Sequence, residues 1–159
     1  FLVCPGLKMF KNWCAGEHID NDTKACLMVA RPLKSKGDYK KRGIATVTIY
    51  HIPNQNNEAV FYITAGYMYK SESYVSINID NKDKFELRLI ENDAAWTDED
   101  SIDKDIVESM KKGNKMTVIG YSSRGTKTTD IYSLMGFTSA YKYISQSCNI
   151  KNWIKKIST

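Results

Sequence analysis

The chain has 159 residues, 42% hydrophobic and 26% charged, a composition that excludes collagen-like and intrinsically disordered chains. It is read as one domain over residues 1–159, long enough to bury roughly 70% of the surface its unfolded form exposes. No apolar run approaches the roughly 20 residues of a membrane-spanning helix. The net charge of +5, with its lysines read as scattered over turns and helix ends, falls short of a dedicated nucleic-acid binder.

Most of the chain alternates rather than repeating at helical period. Residues 24–31, 43–52 and 58–65 are β-branched or aromatic runs bounded by polar turns, and are predicted as strands. In 73–79 and 84–90 the alternation places Val75, Ile77 and Ile79, then Phe85, Leu87 and Leu89, on one face of their strands, with Asp80-Asn81-Lys82-Asp83 as the turn between them. A helix is predicted from about Asp98 to Lys112. Thr97 and Asp100 form a cap-like pair, Asp98 to Asp105 make a solvated acidic start, and Ile102, Ile106, Val107 and Met110 form an apolar stripe ending at Gly113.

A second hairpin joins 115–122 to 127–134 through Ser123-Arg124-Gly125-Thr126, where Gly125 is free to take positive φ. A second helix covers about Thr138 to Ser147. Beyond Cys148, the residues Ile150, Trp153, Ile154 and Ile157 recur at helical spacing beside Lys151, Lys155 and Lys156. At least seven strands with one or two short helices predict a mainly β fold, an antiparallel β-sandwich, and the ten tyrosines suit its pleated surfaces.

Four cysteines, Cys4, Cys14, Cys26 and Cys148, include no CxxC pair, and neither histidine is spaced from them as a zinc ligand. No metal or cofactor is therefore expected. An even count without a metal pattern reads as two disulfides in an oxidising compartment, with four reduced core cysteines as the alternative; spacing leaves all three connectivities open. The chain opens Phe1-Leu2-Val3-Cys4 without an initiator Met, read as a mature start after signal-peptide removal or as a shortened chain.

No GxSxG, P-loop, GxGxxG or HExxH motif is present. A hydrolase would have to use His18, read as a residue of the polar loop between Cys14 and Cys26, or His51, read as a satisfied strand-end histidine. The most conspicuous polar stretch is Ser122 to Asp130. Turn chemistry accounts for it, but Ser123, Arg124, Gly125 and Lys127 also form a candidate partner-binding turn with basic donors. The 151–157 segment is a short basic amphipathic candidate for peripheral membrane association. Tyr39-Lys40-Lys41-Arg42 and Tyr67-Met68-Tyr69-Lys70 interleave aromatic and basic residues, yet no nucleic-acid-binding motif accompanies them, and no nucleic-acid partner is expected.

Residues 92–148 resemble the invasion-associated locus B family of Gram-negative envelope proteins. The resemblance is carried in order by Asp93-Ala94-Ala95-Trp96 with the helix end Glu108-Ser109-Met110-Lys111-Lys112-Gly113, by Met116-Thr117-Val118 running into Ser122 to Asp130, and by Tyr132-Ser133-Leu134, Gly136 to Tyr141 and Cys148. Upstream, Phe10-Lys11-Asn12-Trp13 is similar to the family's opening strand, and Cys26-Leu27 with Arg31-Pro32 to its second; Lys34 to Tyr74 is only loosely similar.

The resemblance implies an exported, immunoglobulin-like β-sandwich without known catalytic residues. It also implies that Cys26 pairs with Cys148, leaving Cys4 to Cys14, against a rival Cys14–Cys26 staple. The expected function is that of a non-enzymatic envelope protein, periplasmic, outer-membrane-associated or secreted. It would contribute to host-cell invasion or adhesion by binding an unknown protein or cell-surface partner. A structural or chaperone-like periplasmic role is the alternative, and a hydrolase with an unrecognised site the less favoured one.

Overall fold

The computed structural model describes residues 4–150. The Lys151–Ile157 candidate segment lies outside them. Among the described residues, twelve strands form two antiparallel sheets, accompanied by two α-helices and a short 3-10 turn at Pro53–Gln55. In chain order the strands are β1 (Lys8–Phe10), β2 (Trp13–Asp20), β3 (Thr23–Ala30), β4 (Lys34–Gly37), β5 (Thr46–Ile52), β6 (Asn57–Thr64), β7 (Val75–Ile79), β8 (Asp83–Leu87), β9 (Leu89–Glu91), β10 (Ala94–Trp96), β11 (Lys115–Tyr121) and β12 (Lys127–Ser133). The helices are α1 (Asp100–Lys112), before β11, and α2 (Phe137–Ser147), after β12.

One sheet runs β1-β2-β3-β5-β6-β10-β9 and the other β4-β12-β11-β7-β8. The mainly β sandwich expected from the alternating runs is the fold observed. Its inner layer comes from the period-two positions: Met28 and Ala30, then Val47 and Ile49, then Phe61 and Ile63, with Val75, Ile77, Met116, Val118 and Tyr132 from the other sheet, while Cys26 and His51 on the same face meet α2 and Cys148. Where the five-stranded sheet does not reach, α2 lies against β2 and β3 and α1 against β6. Trp13 anchors this side, its ring edge-on to Phe137 at 5.1 Å and its indole N–H donating to the Ser133 carbonyl at 3.1 Å.

The bridges join Cys4 to Cys14 and Cys26 to Cys148; the Cys14–Cys26 staple does not occur. The first ties the start of the described chain to β2, and the second ties β3 to the end of α2.

Several sequence expectations are corrected. Phe10 to Trp13 is not one strand but the turn between β1 and β2, where Lys11 takes φ 55°. His18 is not in a loop; it stands on β2 opposite Ala25, because the turn is confined to Asn21 and Asp22, both at positive φ. The 84–90 strand breaks at Arg88: β8 belongs to the five-stranded sheet and β9 to the seven-stranded one, so Leu89 is exposed rather than aligned with Phe85 and Leu87. The acidic start of α1 is not uniformly solvated. Asp103 is buried and accepts from the Thr97 hydroxyl at 2.8 Å and the Phe61 N–H at 3.2 Å, so Thr97 serves Asp103 instead of pairing with Asp100.

Candidate functional site

Between β3 and β5 the chain leaves the seven-stranded sheet, adds β4 to the edge of the other sheet, and returns. This excursion, residues 31–45, reads RPLKSKGDYKKRGIA. β4 pairs antiparallel with β12, and all four of its residues are exposed. Such an edge needs polar, charged side chains to discourage pairing with another chain, which Lys34 and Lys36 provide. By register they stand opposite Ile131 and Thr129, on the outward face of the sheet.

The return leg is fastened from below by Arg42. Its two terminal nitrogens donate to the two carboxylate oxygens of Asp130, each at 2.7 Å, and its Nε donates to the Ala65 carbonyl at 2.7 Å. The guanidinium also lies over the Tyr67 ring at 4.9 Å and the Tyr39 ring at 5.5 Å. The side chains of Arg42 and Asp130 are only 6% and 3% exposed. Burial disfavours the guanidinium's charge, but the hydrogen bonds and attraction of Asp130 outweigh it and raise the Arg42 pKa. Tyr67 completes the layer, its hydroxyl sharing a 2.7 Å hydrogen bond with that of Thr128.

Backbone geometry closes the excursion. The Gly43 N–H donates to the Gly66 carbonyl at 2.9 Å. Gly66 has φ +77°, and a Cβ there would sit 2.4 Å from the Gly43 carbonyl oxygen, so only glycine allows this approach. Above the clasp opens a depression of about 500 Å³ whose lining includes Arg31, Ser35, Tyr39, Lys40 and Ile44 and no acidic residue.

The sequence-predicted turn at Ser123, Arg124, Gly125 and Lys127 lies at the tip of the β11–β12 hairpin, with Gly125 at φ +86°. It adjoins the excursion: a Cβ on Gly37 would meet the Lys127 carbonyl at 3.1 Å, and Met68 accepts from the Ser123 N–H at 2.7 Å. Arg42, Asp130, Leu33 and Ile44 were not singled out from sequence as site residues. The available signal was the density of Lys and Arg over 31–42.

A Ser–His contact does exist in the core. His51 Nε2 and Ser145 Oγ are 3.1 Å apart, and both residues are 0% exposed. His51 Nδ1 accepts from the Ala59 N–H at 2.9 Å, so the proton of the neutral ring sits on Nε2 and is donated to Ser145. A general base needs that nitrogen's lone pair free toward the hydroxyl. Burial, with a smaller contribution from Lys111, lowers the His51 pKa to about 4. This is the satisfied strand-end histidine that the sequence indicated.

Residues 13–145 match the family model for the invasion associated locus B protein. The chain belongs to the invasion associated locus B family. Its fold is similar to the crystal structure of invasion associated protein b from Bartonella henselae, with a TM-score of 0.63 at 15% identity, over 90% of this chain and 97% of that one. No curated protein matches the chain. Within the family match fall β2 to β12, the Arg42–Asp130 clasp and the whole basic excursion; Cys4 and Cys148 lie outside it.

Proposed function

We propose that this chain is an exported, non-enzymatic binding module of the bacterial envelope, contributing to host-cell invasion or adhesion by attaching to a surface or a protein partner. The observation that carries the reading is the basic excursion held rigid over a buried ion pair. A fixed, solvent-facing run of cations is suited to an acidic partner surface and not to bond-breaking chemistry. Two disulfides support export, since such bridges persist in the periplasm or outside the cell and are reduced in the cytosol. Family membership supports a role at the envelope or in invasion.

Fractionation of the native protein with its thiols alkylated, followed by binding to host cells and to envelope fragments, tests the reading. The expected result is an oxidised protein in the periplasmic, outer-membrane or secreted fraction with saturable binding to one of those surfaces. A reduced protein in the cytosol, or an exported one with no saturable binding, overturns it.

A further inference from the structure

Six of the 23 basic residues and one of the 18 acidic ones lie in residues 31–42. This stretch therefore carries a charge equal to the whole chain's net +5, and the remaining residues balance at 17 basic against 17 acidic. Most lysines lie scattered elsewhere along the chain, yet the net excess is matched by this one stretch. Arg42 is neutralised internally by Asp130, whereas Arg31, Lys34, Lys36, Lys40 and Lys41 are exposed and make no ion pair among the described residues. Lys127, whose backbone adjoins Gly37, extends the same corner.

Aliphatic side chains flank this cluster. Leu33 is 64% exposed and Ile44 60% exposed, one at each end of the charged stretch, and Ile44 lines the same depression as Arg31 and Lys40. A soluble polyanion engages the cations but gains nothing from Leu33 and Ile44. A single-stranded nucleic acid would want open aromatic faces, yet Tyr39 and Tyr67 are already engaged by Arg42. Exposed cations with an exposed aliphatic side chain at either end of the stretch suit a surface that is anionic at its headgroups and apolar just beneath.

Resting on the reading of the chain as a surface-binding module, we infer that the 31–44 corner docks on an anionic phospholipid bilayer. Lys34, Lys36, Lys40 and Lys41 meet the headgroups while Leu33 and Ile44 dip below them. The Arg42–Asp130 clasp beneath the excursion presets this arrangement, so docking requires no refolding.

The test is sedimentation of the full-length oxidised protein with vesicles of phosphatidylcholine alone or mixed with phosphatidylglycerol. Binding is expected only to the mixed vesicles, and is expected to weaken as salt rises. Substituting Lys34, Lys36, Lys40 and Lys41 by Gln is expected to weaken it at least about tenfold. A Leu33→Ser/Ile44→Ser variant is expected to lose vesicle affinity while its retention on immobilised heparin stays unchanged. These positions are exposed, so melting temperatures should not move. Binding carried instead by Lys151, Lys155 and Lys156, unaffected vesicle affinity in the Leu33/Ile44 variant, or equal affinity for neutral vesicles each overturns the inference. An exported protein that binds envelope or host surfaces saturably but ignores the mixed vesicles overturns the lipid partner alone. A cytosolic, reduced protein overturns the envelope role while leaving the vesicle result standing.

Discussion

At the scale of single residues, the decisive contact is Arg42 with Asp130. Removing one member of a buried, doubly hydrogen-bonded ion pair leaves the other charged in a poorly solvated place, at a cost of about 3–5 kcal/mol. Arg42→Met and Asp130→Leu are each expected to lower stability by that amount in urea unfolding, and the double variant to recover most of it. The pair was hidden in the sequence for a physical reason. A Lys-Lys-Arg run reads as solvated, and nothing local marks the Arg of such a run as the one turned inward. In the polar 122–130 stretch the sequence likewise displays the turn, whereas the buried members, Thr128 and Asp130, lie beyond it on β12.

A second residue-scale prediction concerns pH. Burial lowers His51 to about 4, below its ordinary 6.5, so its contribution is full above 6.5 and lost as pH falls from there through 4. Asp103 is shifted the other way. Burial, outweighing the hydrogen bonds from Thr97 and Phe61, raises it to about 6 from 3.8. Its contribution is full below 3.8 and lost as pH rises through 6. Each shift is worth up to about 3 kcal/mol, and between pH 4 and 6 they oppose one another. The urea midpoint of the parent protein should thus vary little across that window on their account. Asp103→Asn is expected to unmask a midpoint that rises with pH, and His51→Gln one that falls.

At the scale of elements, the two bridges should differ in weight. Their sequence separations are 122 and 10. In the chain-entropy picture the longer loop is worth about 5 kcal/mol and the shorter about 3. Replacing Cys26 and Cys148 by Ser is therefore expected to lower the melting temperature more than replacing Cys4 and Cys14, as calorimetry would show.

The elements also divide cleanly into those the sequence displays and those it hides. The β7–β8 and β11–β12 hairpins show themselves because each has one buried and one open face, which writes an alternation into the chain. β4 does not, since Lys34-Ser35-Lys36-Gly37 is an edge with every residue exposed and no apolar side to alternate. β10 is too short to register a period. The break at Arg88 is invisible for another reason: Leu87 and Leu89 continue the alternation although the chain changes sheets between them.

At the scale of the whole molecule, alternation predicts a sandwich but cannot say which strand joins which sheet, because partner choice depends on contacts distant in sequence. The charge is a similar case. Its total is ordinary; a residue count finds an excess over 31–42, but only folding shows that this stretch is one excursion at a sheet edge, over a buried clasp.

The order of the bridges has a consequence for how the molecule is made. Of the four cysteines in this sequence, taken in chain order, the first joins the second and the third joins the fourth. A chain threaded N-terminus first across a membrane thus meets its correct partners in succession, provided Cys26 waits for Cys148 instead of attacking the Cys4–Cys14 bond already formed. For the export proposed above, oxidation in step with translocation would deliver the native set without reshuffling. Secretion in cells that keep a thiol oxidase but lack a disulfide isomerase is expected to yield the same two bridges by non-reducing peptide mapping; scrambled pairs there would show that Cys26 does not wait.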